Sequence, residues 1–172
     1  NGYRLPPHVD VVLTGGEPLI YANEPVFNEF IAYLVEQGHR ITFETNATIA
    51  PNFERFPFYK NATYALSVKL SNSGEPYHKR VCPDAYNHII AQAQESFFKF
   101  SVDQESLEIT MEDEIRDIIK HHPFIPVYCM PLGGDKEHIE INCQAVIELC
   151  KREGYIYSDR LHIRIWDQNH GV

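Results

Sequence analysis

VDVVLTGGEPLIYANEPVFNEFIAYLVEQGHRITFETN, residues 9–46, decides the fold. It opens on an apolar, β-rich run (9–14), turns through two glycines and closes on a second such run (41–46). Between them Phe27, Phe30, Ile31 and Leu34 follow the i, i+3, i+4, i+7 spacing of one helix face. Asn23 can cap the start of that helix and Gly38 can end it. Strand, helix and strand in this order predict a parallel pair joined by a right-handed crossover, with ligand sites at the carboxyl ends of the strands.

Working outward, similar runs recur at TYALSVK (63–69), FFKFSV (97–102), PVYCM (126–130) and LHIRIW (161–166), with starts about 30 residues apart. Thr110 and Asp135 are further helix N-cap candidates, and Gly154 is placed to close the last long helix. Five or six strand–helix units are too few for a closed eight-fold barrel of about 250 residues. The predicted fold class is therefore α/β, a partial, open parallel β/α barrel. No internal repeat or long linker appears, so residues 1–172 are expected to form one domain. SNSGEPYHKRVCPDAYNH (71–88) reads as the longest loop and the mobile element.

Side chains alternate along a strand, so each run sorts into two faces. Ile41, Phe43 and Thr45 oppose Thr42, Glu44 and Asn46; Leu66 and Val68 oppose Ser67 and Lys69. Phe98, Phe100 and Val102 oppose Lys99 and Ser101, and Leu161, Ile163 and Ile165 oppose His162, Arg164 and Trp166. Parallel strands covered on both faces are apolar throughout, so a repeated polar face needs a lumen, a ligand or solvent opposite it. A partial barrel supplies such a lumen, with Trp166 available to stack on a flat ring. The alternative, edge or antiparallel strands facing water, does not explain charges gathered near strand ends.

The 172 residues are 44% apolar and 23% charged, within the range of a globular domain. A net charge of −9 without a basic run argues against phosphate-driven nucleic-acid binding. No stretch approaches the ~20 apolar residues of a membrane span, and NGYRLPPHVD (1–10) lacks a signal peptide's apolar core, so a cytoplasmic protein is expected. Cys82, Cys129, Cys143 and Cys150 match neither a zinc knuckle nor an iron–sulfur ligand run and are expected to be free thiols.

TGGEP (14–18) lies between a strand and a helix. Gly15 and Gly16 can take positive φ and let backbone approach a ligand, while Glu17 offers a carboxylate to an ammonium. An ordinary Gly-Pro turn is the plain alternative, and no GK[ST] follows to make a Walker loop. VVLTGGEPL resembles the GGEP motif of radical S-adenosylmethionine enzymes, which receives the methionyl amino group. ETNAT (44–48) resembles the ETNGT segment of the 7-carboxy-7-deazaguanine synthase family, SVKLSNSG (67–74) its SPKLSNSG, and FFKFSVD (97–103) its LKFVV strand. YCMPLGG (128–134) is similar to its MPEG, and RLHIRIWDQNHGV (160–172) to its closing RLH…W…GV.

The resemblance implies the radical S-adenosylmethionine type of partial barrel. It also implies an activity in queuosine precursor synthesis. In that family a reduced 4Fe-4S cluster splits S-adenosylmethionine, and the 5′-deoxyadenosyl radical takes a hydrogen atom from 6-carboxytetrahydropterin. Ring contraction and loss of ammonia then give 7-carboxy-7-deazaguanine, with Mg2+ holding the substrate carboxylate. Carried onto this sequence, Gly15, Gly16 and Glu17 would hold the methionyl end, and Glu44, Thr45 and Asn46 would approach the ribose. Ser67 and Lys69 would lie near the S-adenosylmethionine carboxylate and ribose. Thr14, His162, Arg164, Gly171 and Val172 would be pterin candidates. The resemblance further implies an external electron donor of the flavodoxin or ferredoxin class, and a homodimer is expected for an enzyme of this size.

Two departures are conservative: Ala47 stands where Gly is usual and Val68 where Pro is usual. A third is large. The cluster-binding CxxxCxxC and its adjacent magnesium-ligating Thr are absent from these 172 residues, whose first is Asn1, and are expected upstream. Read by itself, the chain is expected to be the carboxyl-terminal three-quarters of the protein and inactive. Rival readings are another radical S-adenosylmethionine enzyme such as a glycyl-radical activase, a non-catalytic ligand-binding domain, and a lyase using Lys69 or Lys99 as a Schiff-base amine.

Overall fold

The computed structural model describes residues 5, 6 and 8–169. In chain order its strands and helices are β1 (Asp10–Leu13), α1 (Pro25–Glu36), β2 (Arg40–Thr45), β3 (Thr63–Leu66), α2 (Tyr77–Arg80), α3 (Pro83–Gln92), β4 (Glu95–Val102), α4 (Gln104–Leu107), α5 (Met111–Ile119), β5 (Val127–Pro131), α6 (Lys136–Glu153), β6 (Ile156–Tyr157) and α7 (Leu161–Trp166). They fall into two compact units. The first holds the residues up to Ser67 with Cys82–Ser96, and the second Val68–Val81 with Phe97 onward.

In the first unit β1, β2 and β3 run parallel and in sequence order, with Leu13 opposite Phe43 and Thr45 opposite Leu66. A doubly wound sheet would reverse its order, and this unit does not. β2 alternates as its sequence predicts: Ile41, Phe43 and Thr45 are buried, while Thr42, Glu44 and Asn46 are partly exposed. Phe43 anchors the core, its ring centroid 5.4 Å from that of Tyr64 and 5.5 Å from that of Tyr59. Removing a large aromatic ring of this kind from water contributes about 2–3 kcal/mol.

Helix α1 buries Ile31 and Leu34 but leaves Phe30 exposed; Asn28 takes the remaining inward position. Its amide donates to the carbonyls of Ala22 and Glu24 at 3.0 and 2.8 Å, fastening the chain that enters the helix. The N-cap is Glu24 rather than Asn23, because Pro25, which has no N–H to be satisfied, takes the first helical position. Gly38 adopts φ +78° just past the helix end, as its position predicts.

The long loop expected at 71–88 is instead largely helical. A 3₁₀ turn at Ser71–Ser73, α2 and the start of α3 occupy it. Pro83 opens α3, and Tyr86 and Ile89, three apart, turn inward. The run 63–69 is also shorter than predicted: β3 stops at Leu66 and buries Tyr64, Ala65 and Leu66 alike, so it has no polar face. Ser67 and Lys69 lie beyond the strand end, Ser67 buried and Lys69 exposed.

In the second unit β4, β5 and β6 are again parallel and sequential. β4 shows full period-2 burial, with Phe98, Phe100 and Val102 inward and Lys99 and Ser101 partly exposed. Helix α6 is capped by Asp135, whose side chain accepts from the His138 N–H, and closes at Gly154 with φ +74°. Thr110 holds the N-cap position of α5 without a side-chain cap bond.

LHIRIW is not a strand. It forms α7, in which only Ile163 is buried, and the N–H groups of Ile163 and Arg164 both bond the Arg160 carbonyl, at 2.9 and 3.1 Å. At about 100° per helical residue, His162 and Arg164 lie on nearly opposite sides of the helix. The shared polar face drawn for them and Trp166 does not exist.

Candidate functional site

The first unit gathers its polar side chains where β1, β2 and β3 end. After Leu13 the chain turns through Gly15 at φ +88° and Gly16 at φ +59°, a region that L side chains enter only at a cost. A Cβ built on either glycine would meet no atom within 4 Å, so open space adjoins this backbone. Glu17 returns to an extended conformation and caps the one-turn 3₁₀ helix Pro18–Tyr21. Burial of Pro18 and Leu19 pins that turn to the core.

The Glu17 carboxylate joins this loop to the next strand end. Oε1 accepts from the Leu19 N–H at 3.0 Å and from the Thr45 hydroxyl at 2.7 Å, and Oε2 accepts from the Asn46 N–H at 2.7 Å. All three donors are neutral, so the carboxylate keeps its full negative charge for a cation. Thr45 Oγ1 in turn accepts from the Ala47 N–H at 3.0 Å. Ala47 is buried and held at φ +60°, where an alanine is strained. The Asn46 side chain closes the loop on itself, its Oδ1 accepting from the Thr48 N–H at 3.0 Å and the Thr48 hydroxyl at 2.7 Å. From the third strand end, the Ser67 N–H donates to the Thr45 carbonyl at 2.7 Å.

Of the residues singled out in the sequence, the structure thus brings together Gly15, Gly16, Glu17, Thr45, Asn46 and Ser67. Thr14 is exposed at the mouth of the same loop, and Glu44 stands half-exposed on β2. Lys69, His162 and Arg164 belong to the second unit. There Lys69 presents its carbonyl to Arg80 Nη1 at 3.0 Å, and His162 is exposed on α7. Arg164 is committed: its Nε donates to Asp159 at 2.6 Å, and its Nη2 lies 3.2 Å from Cys143 Sγ and 3.4 Å from the Tyr157 hydroxyl. These bonds hold its guanidinium firmly protonated, and burial together with Cys143 pushes the Tyr157 phenol up to about 12. Gly171 and Val172 lie outside the described residues. Sequence reasoning missed the Thr45 hydroxyl as the partner of Glu17; the parallel β1–β2 register that brings the two together has no signature in the sequence.

The open backbone at Gly15–Gly16 beside an anionic Glu17 fits a ligand carrying an ammonium, as S-adenosylmethionine does. An iron–sulfur cluster and a magnesium ion do not find their ligands here. Among the described residues no three His, Cys, Asp or Glu side chains are placed to hold a metal. Cys82 belongs to the first unit and the other three thiols to the second. Hydrogen bonding to Cys150 and burial push the Cys129 thiol well up, the opposite of what a thiolate ligand requires.

No protein-family model matches the chain. In sequence it is similar to the 7-carboxy-7-deazaguanine synthases of Halobacterium salinarum and Rhodopirellula baltica, each 27% identical over 173 aligned residues. The alignments cover 93% and 94% of this chain and 66% and 63% of those proteins, so the chain spans a little under two thirds of their length. In structure it is similar to Streptococcus suis SuiB bound to precursor peptide SuiA, with a TM-score of 0.56, 13% identity and coverage of 88% of this chain and 38% of that one. SuiB bound to S-adenosylmethionine matches with the same TM-score and identity, over 88% of this chain and 39% of its own. No helix among the described residues is long and apolar enough to cross a membrane. The fold is thus α/β, the partial parallel β/α barrel that the strand pattern predicts.

Proposed function

We propose that the protein carrying this chain is a radical S-adenosylmethionine enzyme, and more narrowly a 7-carboxy-7-deazaguanine synthase, a carbon–nitrogen lyase acting on 6-carboxytetrahydropterin. The observation that carries this reading is the Gly15–Gly16 turn, open to a ligand and flanked by the Glu17 carboxylate, on a chain similar to such synthases along nine-tenths of its length. S-adenosylmethionine supplies the 5′-deoxyadenosyl group that accepts a hydrogen atom from the pterin.

The residues of this chain bind and orient. The backbone of Gly15 and Gly16 admits the methionyl end closely, because no side chain projects there. Glu17 supplies negative charge for the methionyl ammonium; its Oε2 accepts one bond from Asn46, and a carboxylate oxygen accommodates two. Glu44 and Asn46 are assigned to the ribose, and Ser67 and Lys69 to the carboxylate and ribose. Thr14, His162, Arg164, Gly171 and Val172 are assigned to the pterin, Arg164 keeping its bond to Asp159 while it does so. The cluster and Mg2+ are assigned to ligands other than those described here. A flavodoxin or ferredoxin class donor, a homodimer and a cytoplasmic location complete the proposal.

The test is anaerobic: the full-length gene product, reconstituted with iron and sulfide, is given reductant, S-adenosylmethionine and 6-carboxytetrahydropterin. Formation of 7-carboxy-7-deazaguanine is the expected result. Cleavage of S-adenosylmethionine with the pterin left intact would retain the radical chemistry and overturn the substrate.

A further inference from the structure

The resemblance brings Thr45 towards the S-adenosylmethionine ribose, but the residue is only 1% exposed. Its hydroxyl is also spent, donating to Glu17 Oε1 at 2.7 Å while accepting from the Ala47 N–H at 3.0 Å. A hydroxyl with one hydrogen, already given to a carboxylate, and no exposed surface cannot itself meet a ligand.

We propose that Thr45 is a positioning residue for the site: its hydroxyl locks the Glu17 carboxylate and the left-handed Ala47 backbone in one arrangement, so that both loops meet S-adenosylmethionine preformed. This rests on the S-adenosylmethionine reading given above.

Two physical consequences follow from the geometry. On one side, Thr45 and Leu19 together occupy Oε1, which fixes the carboxylate plane and leaves Oε2, bonded to Asn46 N–H, as the oxygen with acceptor capacity to spare. Without the hydroxyl the carboxylate keeps two donors rather than three and can turn about its terminal torsion, which has broad wells. On the other side, Ala47 sits at φ +60° without a glycine's freedom. The bond from its N–H to Thr45 Oγ1 holds the chain there, and the Asn46–Thr48 turn that completes the wall depends on that conformation. Such strain persists where surrounding contacts over-determine it, commonly beside a ligand.

The test compares the wild-type full-length protein with T45V, which keeps the shape and removes the hydroxyl, and T45S, which keeps the hydroxyl. Binding of S-adenosylmethionine is measured by calorimetry under anaerobic conditions, and the KM for S-adenosylmethionine is separated from kcat for its cleavage. The expected result for T45V is about tenfold weaker binding or more, matching loss of a charge-assisted hydrogen bond, and a KM raised far more than kcat is lowered. T45S is expected within about threefold of wild type, and A47G in the T45V background is expected to recover part of the loss, since glycine holds φ +60° without help. If T45V does not fold, T45A removes the same hydroxyl at lower steric risk and reads the same quantity. Unchanged binding in a folded T45V or T45A protein overturns the positioning role and leaves the function untouched. Failure of the wild-type protein to bind S-adenosylmethionine overturns the function, and this inference with it.

Discussion

Glu17, three residues past the Thr14 that follows β1, and Thr45, the last residue of β2, meet at 2.7 Å across the ends of adjacent parallel strands. The bond ties a loop rich in backbone freedom to a strand end that has none. Thr45 is further held by the Ser67 N–H on its carbonyl, so the ends of β2 and β3 are fastened as well. The first unit thus presents three strand ends as one braced edge.

Gly16 is the simplest place to test that edge. At φ +59° an alanine costs on the order of 1 kcal/mol in backbone conformation, and its methyl would meet nothing. G16A should therefore lower unfolding stability in urea by about 1 kcal/mol while weakening S-adenosylmethionine binding by more than that. Equal losses in stability and binding would mean that the turn is structural alone.

Ala47 provides the converse case. Glycine there gains relief of strain but loses a buried methyl worth about 0.8 kcal/mol and adds unfolded-chain entropy, so A47G should leave stability nearly unchanged. Valine adds a β-branch at a left-handed buried position, and A47V should cost about 2 kcal/mol or more in chemical denaturation.

Arg80 tests the second unit. Its side chain is 6% exposed and Nη1 lies 3.3 Å from Glu114 Oε2, while the same carboxylate oxygen accepts from the Ser71 N–H at 2.9 Å. Removing Glu114 leaves a buried guanidinium without its counter-charge, so E114A should destabilise by about 3–5 kcal/mol. R80M, which removes the charge and keeps the volume, should cost less. The two urea midpoints in that order support the pairing; the reverse order contradicts it.

His138 and Asp135 give a pH prediction. Hydrogen bonding of the His138 imidazole to the Asp135 carboxylate, and then that carboxylate's charge, raises the imidazole above the ordinary 6.5, while the bonds donated by the His138 backbone N–H, and then by its side chain, lower the Asp135 carboxyl below the ordinary 3.8. The histidine's contribution is complete below pH 6.5 and is lost as pH rises through its raised value. The aspartate's is present above 3.8 and is lost as pH falls through its lowered value. The pair is therefore intact between those two midpoints. NMR titration should place His138 above 6.5 in the wild type and shift it down in D135N, a variant that still caps α6.

Much of the fold was legible because parallel strands with one covered face write their burial into a period of two. β2 and β4 are the clear instances: Phe43 and Phe100 are buried, and Glu44 and Lys99 partly exposed, where alternation placed them. The same pattern misled at LHIRIW, because six residues satisfy a strand period without a neighbour to pair with. Bonds from Ile163 and Arg164 back to the Arg160 carbonyl decide for a helix instead. Residues 83–92 carried an overlooked signal, a proline at the first helical position followed by inward Tyr86 and Ile89. β6 is two residues long and offers too little pattern to read.

The candidate site divides in the same way. Gly15, Gly16 and Glu17 were legible as a motif through the resemblance of TGGEP to a known one; the bare string also fits an ordinary Gly-Pro turn. The use of Glu17 was not legible, because two of its three bonds come from the next strand end and depend on the β1–β2 register. Alternation put Arg164 on one polar face with His162, a face that α7 does not have, and its side chain bonds Asp159, Cys143 and Tyr157.

Under the proposed function, a hydrogen atom passes from a pterin to the 5′-deoxyadenosyl group. The full-length gene product should be incubated anaerobically with S-adenosylmethionine, reductant and 6-carboxytetrahydropterin deuterated at its carbon-bound ring positions, and the 5′-deoxyadenosine analysed by mass spectrometry. Deuterium is expected in 5′-deoxyadenosine, formed together with 7-carboxy-7-deazaguanine. 5′-Deoxyadenosine free of deuterium, with the pterin unconsumed, would contradict that function.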